Sequence, residues 1–553
     1  MQVSYAKDKL VLDFKFDKIL VTTVNAFPGR KYVAKKRVWT VPAIHIALVV
    51  NTLSKYSFNF TNEVLDLYKE QKRRLAKVAR IKQNIFNQIE EEAFKRLNLP
   101  LYEYQKIGAG FICAGRNVII ADQPGLGKTI QSLSATKIRN AQKILIFAPK
   151  SAKKTWKDEI KKWLDEDSVV VVGGSPAERQ KQWESDSKYY VVNYHLLLRD
   201  SNFMRKINWD FVIADEATDI SNPDAKITKA LKKLKAKHKV ALTGTPISNT
   251  IKDIWSIMDW VQKGLLGTFG EFQKEYCIKD KYGSIIGYKN LEKLKTKIEP
   301  YFLRRLKSEV LTELPPKTYE NIYSEFSPEE LRLYVAIQEE IMEDLVKLKM
   351  TDRRYLSKAL VKMLRLKQMT GSSEIINGER ISSKLEDLKE LLKIILSGDD
   401  KAIIFTQFKT MADILMRELS EYNPLLIAGG VSEKERGENQ DTFTDDSKHK
   451  LLIMTSAGSR SLNLQRASYV IHYDLPWSIS QTEQREDRAH RNGQKQNVTI
   501  YRMMVRNTVD EYNLGILNSK QGVSDELLDE GHDKIEDSDI TITEDKILEI
   551  LKN

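Results

Sequence analysis

Only two cysteines, Cys113 and Cys277, occur in the 553 residues. Two isolated thiols supply neither a disulfide framework nor metal-ligand spacing, which suits a reducing compartment. No apolar run reaches membrane-spanning length, and the N-terminus lacks the basic-then-apolar order of a signal peptide. These absences predict a soluble cytoplasmic protein with no membrane partner. Charge, by contrast, is plentiful. With 41% hydrophobic and 30% charged residues the composition is that of a globular chain, and a formal charge of +13 favours an anionic partner such as nucleic acid. A lysine-rich solvated surface gives the same balance. The length exceeds what one core serves, so three or more domains are expected.

Short apolar runs and turn residues alternate over the first 60 or so positions, as in Leu10–Phe14 and Ile19–Val24, followed by Phe27-Pro-Gly-Arg30; this predicts a small β-rich unit. Arg37-Val-Trp-Thr-Val-Pro42 precedes a helical pattern to Leu53, and Val64 to Leu97 is helical and heavily charged. Residues 1–97 read as a basic accessory domain for DNA or substrate recognition, or as a solvated helix face. Strands then alternate with helices: Val118–Ala121, Ile144–Ala148, Val169–Val172, Tyr189–Asn193, Phe211–Ala214 and Val240–Thr243. A charged helical stretch from Phe326 to Met369 separates these from a second set, Ala402–Phe405, Pro424–Ala428, Leu451–Met454, Tyr469–Tyr473 and Val498–Met503. Both sets predict buried parallel sheets wrapped by helices, with ligands at the carboxyl ends of strands. The expected divisions are lobe 1 over 98–310, linker and helical protrusion over 311–372, lobe 2 over 373–520, and an acidic tail over 521–553. That tail either covers a basic channel or stays solvated.

The chemistry begins at Asp122-Gln-Pro-Gly-Leu-Gly-Lys-Thr129, set between an apolar strand and a helical pattern. Gly125 and Gly127 let backbone N–H groups converge on an anion at a helix N-terminus. Lys128 can reach the β- and γ-phosphates and Thr129 can ligate Mg²⁺. Asp122 stands where the common pattern has glycine. Trp209–Ala214 leads into Asp215 and Glu216: Asp215 is placed to hold Mg²⁺ and Glu216 to polarise the attacking water, the alternative being a chance acidic turn. Thr243-Gly-Thr-Pro-Ile-Ser-Asn249 follows the next strand and suits a loop that senses the γ-phosphate, or a plain turn. In Gln484-Arg-Glu-Asp-Arg-Ala-His-Arg-Asn-Gly-Gln494, Arg485, Arg488 and Arg491 recur one helical turn apart. Guanidinium groups meeting the γ-phosphate across a cleft act as arginine fingers; an exposed mixed-charge helix is the competing reading.

These blocks, in this order, resemble the Swi/Snf-type family of superfamily-two helicase-like ATPases over residues 98 to 515, with Phe405-Thr-Gln-Phe408 and Asp487-Arg-Ala-His-Arg491 the most specific. The resemblance implies two RecA-like parallel-sheet lobes with helical insertions, here preceded by a small α+β domain. It implies ATP and Mg²⁺ as cofactors and action on double-stranded or branched DNA, with a DNA-bound protein as a further target; a monomer is expected. It also implies that Tyr104 and Gln105 recognise adenine, with Asp122, Gly125, Gly127, Lys128, Thr129 and Gln484 completing the nucleotide site. Lys128, Asp215, Glu216, Arg488 and Arg491 become the catalytic set, with Thr129 and Asp215 on the metal. The implied DNA contacts are Pro149, Lys150, Ser151, Trp156, Asn193 and Tyr194 in lobe 1, and Gln407, Phe408, Thr455, Arg460, Asn463 and Trp477 in lobe 2. Arg37-x-Trp-x-Val-Pro42 faintly resembles the HARP-type module of annealing helicases.

Three positions depart from the family pattern: Thr218 where histidine is usual, Ser459-Arg-Ser461 in a usually glycine-rich turn, and Asn492 for an apolar residue. None removes a group that hydrolysis needs. The expected activity is an ATP-driven double-stranded DNA translocase that remodels DNA or displaces bound protein without processive unwinding. A strand-separating helicase and a non-hydrolysing DNA or partner clamp are the alternatives. The compact chain suits the cytoplasm of a bacterium or phage-infected host, on the nucleoid when DNA-bound.

Overall fold

Local capping decides the first element on which composition misleads. Ile19–Val24, β-branched and read as part of a β-rich unit, lies in a helix, Lys18–Asn25, because Asp17 Oδ1 accepts the N–H groups of Ile19 at 2.8 Å and Leu20 at 2.9 Å. The computed structural model describes residues 1–528 apart from 96, 248–249, 280–284, 312, 348–354, 456–463 and 492. Two units are built mainly from Met1–Leu306 and Lys307–Val523.

The first unit opens with a five-stranded sheet of β1 (Gln2–Ala6), β2 (Lys9–Asp13), β3 (Lys31–Val33), β4 (Val38–Pro42) and β5 (Asn59–Phe60), in the order β3-β4-β2-β1-β5. Register places Val3 opposite Leu12 and Leu10 opposite Val41, so these apolar side chains pack with Leu20, Val24, Val49 and Leu53 of the helices Lys18–Asn25 and Ile46–Leu53. His45, just before the second helix, bonds through Nε2 to the carbonyl of Gly264 at 2.8 Å.

A seven-stranded sheet follows: β6 (Asn117–Ile120), β7 (Ile144–Phe147), β8 (Val169–Val171), β9 (Tyr189–Val192), β10 (Trp209–Ala214) and β11 (Ala236–Leu242), then, after the hairpin β12 (Cys277–Lys279) and β13 (Ile285–Tyr288), β14 (Phe302–Leu303). The order is β14-β6-β11-β10-β7-β9-β8, and every pairing is parallel. All carboxyl ends therefore lie on one edge, with those of β6, β11, β10, β7 and β9 side by side. The six expected strands are present; β14 is additional.

The second unit carries β15 (Lys317–Ser324), β16 (Ala402–Thr406), β17 (Leu425–Ile427), β18 (Leu451–Thr455), β19 (Tyr469–His472) and β20 (Val498–Val505), parallel in the order β15-β20-β19-β16-β18-β17. Two apolar clusters, one containing Ile404, Ile453 and Ile471 and the other Ile403, Leu452 and Val470, hold helices on its two faces. The charged helical stretch expected from Phe326 forms the helices Pro328–Lys347 and Tyr355–Gly371, whose Tyr334, Ile337, Ile341, Met363 and Leu366 share a small core. The chain is thus α/β, with two parallel sheets preceded by a small α+β module.

Candidate functional site

The loop after β6 turns on two left-handed glycines, Gly125 at φ 91° and Gly127 at φ 75°, and opens the helix Lys128–Ile138. A Cβ on Gly127 would lie 2.6 Å from Gln105 Nε2, and one on Gly244 would lie 2.7 Å from Pro124 Cγ, so both positions exclude a side chain. Lys128 Nζ donates to the carbonyl of Asp122 at 2.7 Å, folded back over the loop. Gln105 therefore sits against the loop, and Tyr104 stacks on the exposed Tyr102 with ring centroids 5.7 Å apart.

Asp122 needs correcting as a nucleotide contact. It is fully buried, and its carboxylate accepts from Arg305 Nε at 3.0 Å and NH2 at 2.5 Å and from Gln131 Nε2 at 2.9 Å. Arg305 NH2 also donates to Gln131 Oε1 at 2.9 Å, and NH1 donates to the carbonyl of Tyr104. A carboxylate facing phosphate would repel it; here it locks the loop to the Tyr104–Gln105 segment instead. Sequence reasoning missed Arg305 and Gln131. The signal available was the arginine pair Arg304-Arg305 held between the apolar Leu303 and Leu306.

Two strands across the sheet, Asp215 and Glu216 follow β10, with Glu216 in a left-handed conformation at φ 49°. Between them and the phosphate loop lies the turn after β11, where Thr243 Oγ1 accepts from Thr245 N at 3.2 Å. Burial, then the adjacent Glu216 charge, push the Asp215 carboxyl up to about 7, while the Trp156 indole and the Lys128 ammonium pull it down. A carboxylate in such surroundings is relieved by a cation, and the Asp215 carboxylate and the Thr129 hydroxyl are each hard oxygen ligands. No cluster of three or more His, Cys, Asp or Glu suited to a metal occurs among the described residues. Magnesium held by one carboxylate, a hydroxyl and substrate phosphates fits such a site.

The Gln484–Gln494 segment forms an ordered polar network within the second unit. Asp487 binds Lys307 at 2.6 Å, Glu486 binds Lys317 at 3.0 Å and the Tyr319 hydroxyl at 2.8 Å, and His490 Nε2 meets the carbonyl of Pro315 at 2.8 Å. The lysine charges hold Asp487 below the usual carboxylate range. Arg485 is 1% exposed and donates to the carbonyl of Asp474 at 2.8 Å, so it braces the fold. Arg488 is buried, and Arg491 is tied through Nε to the carbonyl of Asp487 at 2.7 Å. Gln484 is half-buried, its amide 3.3 Å from Ser480 Oγ.

The residues expected on DNA separate into two groups. Lys150 and Ser151 are exposed where β7 ends, beside the buried Pro149, and Asn193 Oδ1 accepts from Leu196 N at 3.2 Å. Phe408 and Trp477 are half-buried, with Lys367 Nζ 4.9 Å from the Trp477 ring centroid. Trp156, Tyr194 and Thr455 are withdrawn from solvent, being 2%, 3% and 4% exposed. Their polar atoms are engaged inside: Trp156 Nε1 with Asp215, the Tyr194 hydroxyl with the carbonyl of Asp215, and Thr455 Oγ1 with Gly429 N. The Gln407 side-chain amide likewise turns inward, to the carbonyl of Leu475 at 2.9 Å. Ser459, Arg460, Ser461, Asn463 and Asn492 lie outside the described residues, as does the acidic segment from 529. No described helix is long and apolar enough to cross a membrane.

The SNF2-related domain profile matches residues 50–375, and the helicase conserved C-terminal domain profile matches 383–493. An uncharacterized ATP-dependent helicase of Mycoplasma genitalium is 30% identical over 494 residues, which are 86% of this chain and 46% of that protein. The ISWI chromatin-remodeling complex ATPase of Saccharomyces cerevisiae is 28% identical over 420 residues, 71% of this chain and 37% of its own length. The chain spans less than half the length of these curated relatives. Among solved structures, the SWI2/SNF2 ATPase core of Sulfolobus solfataricus in complex with dsDNA shares 30% identity, covering 79% of this chain and 94% of that one, at a TM-score of 0.39. With its phosphate loop and acidic pair at the carboxyl ends of β6 and β10 in one parallel sheet and a family profile matched across more than half its length, this chain belongs to the SNF2-related family of helicase-like ATPases.

Proposed function

We propose that the chain hydrolyses ATP to translocate on double-stranded DNA, remodelling branched structures or displacing bound protein without processive unwinding. One observation carries this reading: the phosphate loop and the Asp215–Glu216 pair follow strands β6 and β10 of one parallel sheet, so both lie on the same edge of it. Lys128 and the loop N–H groups bind the phosphates, Tyr104 and Gln105 hold the base side, and Glu216 orients the attacking water. A magnesium ion on Asp215 and Thr129, when bound, neutralises phosphate charge. Arg488 and Arg491 are the guanidinium groups for the γ-phosphate, and Gln484 adds a nucleotide contact.

The DNA partner is supported by the +13 charge, by the exposed Lys150 and Ser151 beside the Asp215 strand, and by the family. Residues 1–97 serve as an accessory nucleic-acid module. No acidic residue occurs between Asp17 and Glu63, while Lys31, Lys35, Lys36 and Arg37 crowd one exposed hairpin around Tyr32, which is 47% exposed. Likeness to a bacterial helicase favours work in the cytoplasm on nucleoid DNA.

The test is ATP turnover with no DNA and with single-stranded, duplex and forked DNA, in wild type and Glu216→Gln. Duplex or forked DNA stimulates wild type, and Glu216→Gln binds nucleotide but falls at least about a hundredfold in turnover. Triplex displacement without duplex unwinding supports translocation, and unwinding supports a strand-separating helicase. Equal, negligible rates in both proteins leave a clamp.

A further inference from the structure

Two segments expected to grip DNA each send a buried aromatic donor to one aspartate. The turn Lys150–Ala152 runs straight into the helix Lys153–Leu164, and Trp156 lies at the fourth position of that helix. Its indole Nε1 donates to Asp215 Oδ2 at 2.8 Å. From the neighbouring strand end, next to Asn193, the Tyr194 hydroxyl donates to the Asp215 carbonyl at 2.6 Å, with its ring stacked on Phe147 at 5.4 Å between centroids. The other carboxylate oxygen, Oδ1, takes the Glu216 N–H at 3.0 Å. Asp215 is thus fixed at its carbonyl by one aromatic residue and at one carboxylate oxygen by another.

A buried indole usually finds some hydrogen-bond partner, and any backbone carbonyl would serve. Here the partner is the carboxylate on which the metal reading depends, and the helix carrying the indole starts at the exposed Lys150–Ser151 turn. We propose that Trp156 and Tyr194 are positioning residues that couple the hold on the nucleic-acid backbone at 149–151 and 193 to the orientation of the Asp215 carboxylate, so that duplex binding improves metal–nucleotide binding. Both side chains are withdrawn from solvent, at 2% and 3% exposure. A shift of the Lys150–Ala152 turn against phosphate moves the start of the helix and, through one hydrogen bond, the carboxylate. This inference rests on the reading of Asp215 as the metal carboxylate.

The experiment uses the full chain with Trp156→Phe, which keeps a ring and removes the N–H, and Tyr194→Phe, which removes only the hydroxyl. Manganese binding to the ADP complex is followed by electron paramagnetic resonance, with and without duplex DNA, alongside duplex affinity and the ATPase ratio with and without duplex. Trp156→Phe weakens manganese binding roughly tenfold, the scale on which groups supporting a metal ligand act, and brings the ATPase ratio close to one while duplex affinity of the nucleotide- and metal-free chain stays. Tyr194→Phe moves both readouts the same way by less. Added Mg²⁺ restores turnover in both variants, which a merely misfolded core does not allow.

Wild-type manganese affinity and an intact ATPase ratio in either variant overturn the coupling, as does loss of duplex affinity in the nucleotide- and metal-free chain. Glu216→Gln, run beside them, separates the two levels. If that chain still hydrolyses ATP, the site reading fails; if it is inactive while Trp156→Phe behaves as wild type, only the coupling fails.

Discussion

Asp122 and Arg305 show how a break in a motif becomes legible only through its partner. A carboxylate in a phosphate loop looks like a defect until the guanidinium 183 residues later is seen to make paired bonds with it in a fully buried setting. Removing one member of such a pair leaves an uncompensated buried charge and typically costs 3–5 kcal/mol, so Arg305→Leu should destabilise the first unit by about 3–5 kcal/mol and loosen nucleotide binding. Combining Asp122→Asn with Arg305→Leu should recover much of that loss. Denaturant midpoints and binding of a fluorescent ATP analogue check both; a double variant no better than the single one would count against the pairing. The same distance in sequence hid the partners of Trp156. An aromatic on an amphipathic helix gives no hint that its N–H ends on a carboxylate 59 residues on.

At the scale of elements, apolar runs gave away the strands that lie inside the sheets, because both faces of such strands are covered and the run is continuous. The elements missed are those for which this argument fails. β15 is an edge strand with Tyr319, Glu320 and Asn321 exposed or half-exposed, so it reads as linker, and β14 is only two residues long. The sequence put Lys128 and Thr129 at the start of a helix after β6, and Asp215 and Glu216 at the end of β10, where the structure has them, because strand ends and glycine turns are local features. The inward direction of the Tyr194 and Thr455 side chains depends on distant partners and could not be read. The tie between the N-terminal module and the segment near Gly264 is also an element-scale feature, and it titrates. Burial lowers His45 from 6.5 to about 4; nearby Lys297 lowers it further, while the Gly264 carbonyl and the Glu271 charge oppose the shift. Because the folded-state value is depressed, the unfolded chain takes up the proton first. The neutral imidazole's contribution is whole above pH 6.5 and is lost as pH falls towards 4, about 3 kcal/mol in all. His45→Gln keeps a donor for Gly264 and does not titrate, so its denaturation midpoint should fall less than that of wild type between pH 7 and pH 5. Parallel pH responses would rule out His45 as the titrating group.

For the whole molecule the decisive quantity is charge. Excess positive charge of +13 draws any polyanion non-specifically, so affinity for DNA alone says little about a built backbone contact. Salt dependence distinguishes a diffuse field from discrete phosphate contacts. Each phosphate neutralised on duplex DNA contributes roughly 0.9 to the slope of log affinity against log salt. Lys150 is exposed at the carboxyl end of β7, next to the strand that ends in Asp215, and no salt bridge to it occurs among the described residues. If it sits on a phosphate in the working complex, Lys150→Ala should weaken duplex binding about equally on unrelated sequences and reduce the salt slope by about one. If it only adds to the general field, the same substitution should lower affinity slightly and leave the slope within error of wild type. Fluorescence anisotropy on two duplexes of different sequence across a salt series measures both. A loss confined to one sequence would mean that Lys150 meets a base edge, and the translocase proposed for this chain would need a different grip on the backbone.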